Sequence, residues 1–176
     1  MTEHRSYIVA EIPEPVRSQI QALRDSLNTL TAKLPVEITL AGSSGVGPIP
    51  VGTDLSVIQR HLERILPNIS PFRTRFSAIR AFPNTSIFYL KPFDRSPFDH
   101  IHRELRGSGI PFSECPWPYN PHCTLRGGKP LDAEAASALL ARSFPEEEFQ
   151  INTVSVYHLD DLTMDCKLLY QQTLGA

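Results

Sequence analysis

The sequence predicts an α+β fold of mostly antiparallel strands. Two observations carry this. Strand-like runs come in neighbouring pairs joined by tight turns, which is the pattern of antiparallel rather than doubly wound parallel sheet. An order of strand, helix, strand, helix and strand pair is followed by helix, strand, helix and strand pair. No low-complexity linker divides the 176 residues, so 1–176 reads as a single domain.

The elements follow in order. Ser6 to Ile12 alternates as a strand and is closed by Pro13. Pro15 opens a helix whose apolar face is Val16, Ile20, Leu23, Leu27 and Leu30. Val36 to Leu40 is a strand, followed by a Gly/Ser/Pro loop from Gly42 to Gly52. Asp54 caps a second helix carrying Leu55, Ile58, Leu62 and Ile65, which stops before Pro67. Phe72 to Phe82 and Ser86 to Leu90 form a strand pair around Pro83-Asn84. Ser96-Pro97 starts a third helix through Ile101 and Leu105, closed by Gly107 and Gly109. A Pro-rich stretch, Pro111 to Pro121, leads to a strand at His122 to Leu125. Asp132 caps a helix from Ala133 to Phe144. Phe149 to Leu159 and Lys167 to Leu174 close the chain as a strand pair turning at Asp160-Asp161.

Composition bounds the function classes. Hydrophobic residues are 41% and charged residues 20%, enough apolar material for a sizeable core. Net charge is -2, from Lys+Arg 17 and Asp+Glu 19, which excludes a histone-like polyanion binder but allows a local phosphate site. Cys115, Cys123 and Cys166 form no C-x-x-C, so neither a disulfide framework nor a zinc site is read from them. Reduced thiols point to the cytoplasm. The apolar run Tyr7 to Ala10 is too short for a signal peptide, and no stretch has the length of a membrane span.

One segment echoes another. Glu37-Ile38-Thr39-Leu40-Ala41-Gly42 and His122-Cys123-Thr124-Leu125-Arg126-Gly127 share Thr, Leu and Gly at equivalent places, which suggests two related lobes with facing strands. Strand alternation sends His122 and Thr124 to one face, and Glu37 and Thr39 likewise. Facing lobes would then enclose Glu37, Thr39, His122 and Thr124 in one cleft.

Asn120-Pro121-His122-Cys123-Thr124-Leu125 resembles the second motif of the two-histidine (2H) phosphoesterases, which include 2'-5' RNA ligases and cyclic nucleotide phosphodiesterases. Leu34-Pro35-Val36-Glu37-Ile38-Thr39-Leu40 resembles the first motif, and the order of elements resembles the family's over nearly the whole chain. The resemblance implies a bilobal α+β fold, two pseudo-symmetric lobes with helices outside and a central cleft. It implies a phosphodiesterase acting on a 2',3'-cyclic phosphate or 2'-5' linkage, with no metal or other cofactor. The partner is an RNA end, a nucleotide or another small phosphodiester, bound by a soluble monomer. One motif histidine would act as base and the other as acid, a role that suits the ordinary histidine pKa of about 6.5. Thr39 and Thr124 would donate to the phosphate oxygens.

The departure is Glu37, which stands where the first histidine is expected. An ionised carboxylate about 4.5 Å from a phosphate charge, at an effective dielectric near 20, repels it by roughly 3–4 kcal/mol. Three readings stay open: a protonated Glu37 that donates, a general base aimed at water with His122 as acid, or a decayed motif in a nucleotide- or small-ligand-binding module.

Further residues carry paired readings. Arg126 follows the intact motif as a phosphate contact or a solvated arginine, placed by alternation on the His122 face. Arg75 and Arg80 lie beside the expected cleft or in solvent. Trp117 and Tyr119 stack a nucleobase or pack their loop. Tyr7 faces cleft or core. Gly42 to Gly47 lacks the ending of a phosphate-binding P-loop and reads as a flexible loop. Asp99, His100 and His102 do not converge as metal ligands on a helix, His4 and His61 read as surface residues, and His158 beside Asp160 lacks a nucleophile for a triad.

Overall fold

The computed structural model describes residues 5–27 and 29–175, so His4 lies outside the described residues. Its elements are β1 (Ser6–Glu11), α1 (Val16–Ser26), β2 (Glu37–Ala41), α2 (Leu55–Ile65), β3 (Phe72–Thr74), β4 (Phe76–Ala81), β5 (Phe88–Pro92), α3 (Ser96–Arg106), β6 (Cys123–Arg126), α4 (Ala133–Leu140), β7 (Phe149–Ile151), β8 (Thr153–Leu159) and β9 (Cys166–Thr173). One sheet runs β2-β1-β8-β9 and another β4-β5-β6, while β3 and β7 form a separate ribbon. Every strand pairing is antiparallel, so the α+β class holds.

Local chemistry explains most boundaries. The Asp54 carboxylate accepts the Ser56 N–H at 3.0 Å to start α2, and that of Asp132 accepts the Ala135 N–H at 2.8 Å to start α4. Val16, Ile20 and Leu23 of α1 are buried, and so are Ile58 and Leu62 of α2. Ile8 and Ala10 of β1, Ile38 and Leu40 of β2, and Val154 and Val156 of β8 pack with these helix stripes into a shared core.

Four expectations change. The strand expected from Phe72 to Phe82 breaks at Arg75, and the one from Phe149 to Leu159 breaks at Asn152. The detached pieces pair as the β3–β7 ribbon, whose Phe72 meets Phe98 of α3 edge-on at 5.2 Å. That burial comes from a distant helix, which strand alternation does not register. The first helix stops at Ser26, leaving Leu30 63% exposed in a 3-10 turn rather than on the core face. Likewise, α4 ends at Leu140 and leaves Phe144 beyond it.

The sheet order positions the two motif strands. β2 is the edge of the four-stranded sheet and β6 the edge of the three-stranded one. The two edges adjoin. No helix among the described residues is long and apolar enough to cross a membrane.

Candidate active site

The second motif is the more fully specified. His122 immediately precedes β6, is 8% exposed, and donates its Nδ1–H to the Asn120 carbonyl at 2.7 Å. A carbonyl only accepts, so this bond leaves Nε2 as a free acceptor. The ring meets Phe82 and Tyr89 edge-on, at 5.1 and 5.2 Å between centroids, while those two rings stack at 4.4 Å. Burial in this aromatic setting holds the His122 pKa below its ordinary value, so the imidazole is neutral at pH 7. Tyr89 pairs with Thr124 across β5–β6 and with Arg80 across β4–β5, which sets Arg80, Tyr89 and Thr124 in one cross-strand row.

The first motif lies on β2. Glu37 and Thr39 are partly buried on one face, and Thr39 Oγ1 donates to both Glu37 carboxylate oxygens at 3.1 Å. Burial pushes the Glu37 carboxyl up to about 8, against opposing pulls from the Arg24 charge and the Thr39 bond. Across β1–β2, Glu37 stands opposite Glu11, whose carboxylate accepts the Tyr157 hydroxyl at 2.8 Å. Tyr7 lies on the same face, its hydroxyl 3.3 Å from Cys166 Sγ, with its pKa raised by burial and then by Glu37. Beyond Glu11 this face opens into two depressions of about 330 and 360 Å³ that share Glu11, Arg17 and Tyr157.

The loops that flank the two motifs pack on each other. The Gly45 N–H donates to the Trp117 carbonyl at 2.8 Å, the Gly47 N–H to Ser113 at 3.0 Å, and the Asn120 N–H to Ser44 Oγ at 3.2 Å. His102 of α3 donates Nδ1–H to the Leu40 carbonyl at 2.7 Å and stacks on Tyr119 at 3.8 Å. The Tyr119 hydroxyl donates to the Thr39 carbonyl at 3.2 Å.

A sequence model of the 2'-5' RNA ligase superfamily matches residues 12–163. The chain belongs to the 2'-5' RNA ligase superfamily. As a 2H phosphoesterase it has structural neighbours of the same fold. TT0787 of Thermus thermophilus superposes with a TM-score of 0.70 at 19% identity, over 98% of each chain. E. coli LigT complexed with 3'-AMP gives 0.61 at 15% identity, covering 97% of this chain and 98% of that one. E. coli LigT complexed with NADP+ gives 0.61 at 17%, covering 98% and 99%. At these identities the likeness is one of fold. No curated protein matches the chain.

Several residues of this superfamily member have structural partners that a sequence reading does not supply. Arg126 is 7% exposed and donates to the carbonyls of Lys129 at 2.9 Å and Ser86 at 3.4 Å. A register shift between Phe88 and Tyr89 sets Arg126 opposite Phe88, off the Tyr89–Thr124 row, because a bulge interrupts alternation. Tyr119 packs its ring on His102, whereas Trp117 is 68% exposed. Arg75 lies over the Phe93 ring at 4.3 Å. The glycine segment is packed, not a free loop: a Cβ on Gly45 would overlap the His102 ring. Sequence reasoning did not single out Arg24, Phe82 or Tyr89, and it weighed His102 only as a metal ligand. Arg24 did carry a signal, since it falls four residues after Ile20 on the apolar stripe of α1.

Proposed function

We propose that this chain is a metal-independent phosphodiesterase for a 2',3'-cyclic phosphate or 2'-5' linkage of a nucleotide or RNA end. In this reading His122 is the general base and a protonated Glu37 the general acid. The observation that carries it is the opposed displacement of the two groups: burial lowers His122 and raises Glu37 to about 8. At pH 7 each then sits in the protonation state that its role needs. Nε2 of His122 takes the proton of the attacking water, whose oxygen bonds to phosphorus. The Glu37 O–H gives its proton to the departing ribose oxygen. The Thr39 and Thr124 hydroxyls donate to the non-bridging oxygens. A neutral Glu37 also removes the roughly 3–4 kcal/mol repulsion that an ionised one would impose on the phosphate. Nucleotide ligands are supported by the LigT structures, solved with 3'-AMP, ATP and NADP+.

The test is hydrolysis of a nucleoside 2',3'-cyclic phosphate without added metal, followed across pH. The expected kcat/KM profile is bell-shaped, with an acid limb below the ordinary histidine pKa and an alkaline limb near 8. His122→Ala and Glu37→Gln should each lose about 10²–10⁴-fold. Equal rates in wild type and His122→Ala would sink the proposal.

One observation favours a second reading, a ligand-binding module without turnover. The Thr39 hydroxyl is engaged by Glu37 itself. That reading expects nucleotide binding, its loss in Thr124→Val, and phosphodiesterase activity gained only in Glu37→His.

A further inference from the structure

Arg24 is 1% exposed, yet it meets no carboxylate at ion-pair distance among the described residues. Its partners are neutral and come from both motif segments. Nη1 donates to the carbonyls of Leu34 at 2.8 Å and Pro35 at 3.0 Å, just before β2. Nε donates to the Thr124 carbonyl in β6 at 2.8 Å, and Nη2 lies 3.7 Å from Cys123 Sγ. One planar guanidinium therefore ties the two motif strands, which share no backbone ladder. A lysine ammonium cannot reproduce that fork.

We infer that Arg24 is the positioning residue of the site: its fork sets the spacing of the two motif strands and holds a fixed positive charge against them for a bound phosphate anion. The inference rests on the proposed phosphodiester site. A buried cation satisfied only by carbonyls and a thiol lacks a counter-ion. Glu37 is an acidic claimant for that role, since the Arg24 charge pulls against its neutralisation. The other groups that face Glu37 are Glu11 and Tyr7 of β1, Tyr157 of β8, Cys166 of β9, Cys123 of β6 and Tyr119 of the loop before β6. None of them is cationic, and Arg17, farther along the same face beside Glu11 and Tyr157, is paired with Glu14 at 2.9 Å, so phosphate and the Glu37 carboxylate compete for the charge of Arg24. Phosphate binding and Glu37 ionisation must then oppose each other by the same factor.

The test uses the full chain as wild type, Arg24→Met and Arg24→Lys. It measures inorganic phosphate affinity by calorimetry, Glu37 ionisation by carboxyl infrared titration, and kcat and KM on a nucleoside 2',3'-cyclic phosphate. Arg24→Met should weaken phosphate binding by about tenfold or more and move Glu37 ionisation to higher pH. Arg24→Lys should keep phosphate affinity within about threefold while kcat falls about tenfold, because the charge stays and the fork is lost. A folded Arg24→Met with unchanged phosphate affinity and unchanged Glu37 ionisation overturns the inference. If Arg24→Met does not fold, Arg24→Lys decides, and an unchanged kcat overturns it. A wild type that binds phosphate through Arg24 but never turns over defeats the catalytic proposal and leaves this one standing.

Discussion

Glu37 and His122 face opposite stability consequences of burial. The Glu37 carboxyl is raised from 4.5 to about 8. Between those values the folded chain holds a proton that the unfolded chain releases. Its contribution is therefore most favourable below pH 4.5 and declines as pH rises towards 8. At pH 7, about 2.5 units above the unfolded value, the penalty is up to about 3 kcal/mol. Glu37→Gln removes the ionisable group and keeps an acceptor for Thr39. It should raise stability at pH 7 by up to about 3 kcal/mol and flatten the decline in denaturant midpoint above pH 4.5. A variant less stable than wild type at pH 7 would contradict the buried, protonated carboxyl. His122 and His102 act with the other sign. Burial lowers both, so they withdraw stability as pH falls below the ordinary histidine pKa. His122 was singled out in the sequence because its motif is local. Arg24 was not singled out, because an arginine on an apolar stripe gains its meaning only from three carbonyls contributed by distant chain.

The segment between β2 and α2 shows how an element can mislead. Its glycines read as flexibility, yet they are sites of close approach. Gly45 has φ +73, and a Cβ there would overlap the His102 ring and come within 2.8 Å of Tyr119 Cβ. Gly45→Ala should therefore destabilise the chain by about 1–3 kcal/mol and raise KM for a cyclic nucleotide, because the loop braces both motif segments. Gly52 has φ +84 but nothing within 4 Å of such a Cβ. Gly52→Ala should cost only the backbone strain, about 1 kcal/mol, and leave KM unchanged. Thermal melts and steady-state kinetics of the two variants separate packing from strain. Helix starts were easier to read, since an Asp cap acts within three residues. Asp54→Ala should accordingly cost about 1 kcal/mol in a denaturant titration.

For the whole molecule, the decisive feature is that the lobes are not consecutive halves of the chain. β8, from the C-terminal part, pairs with β1 residue by residue from Ser6↔His158 to Ala10↔Val154. The same sheet ends in β9. The four-stranded sheet thus needs both ends of the chain, and its core residues Ile8, Ile38, Val154 and Val156 belong to one cluster with the helices. Thermal unfolding should be a single transition, with near- and far-ultraviolet circular dichroism coinciding. Two resolved transitions would show lobes that fold independently. Removing residues 160–176 deletes β9 and bares β8 as an edge, so the truncated chain should lose cooperative unfolding altogether.

Sequence alone determined the α+β class, the Asp54 and Asp132 helix caps, the two motif strands and the shared face of Glu37 and Thr39. Each of these follows from interactions within a few residues: alternation along a strand, periodicity on a helix, a side chain reaching its own backbone. Tertiary structure decided the rest. It split two long strands to build the β3–β7 ribbon, moved Arg126 off its expected row through a bulge, and packed the glycine loop against His102. It also set the protonation of the two ionisable motif residues, because desolvation depends on what the rest of the chain brings around them. The negative charge that Glu37 presents in sequence is thereby softened in the fold, where burial favours its neutral form at pH 7.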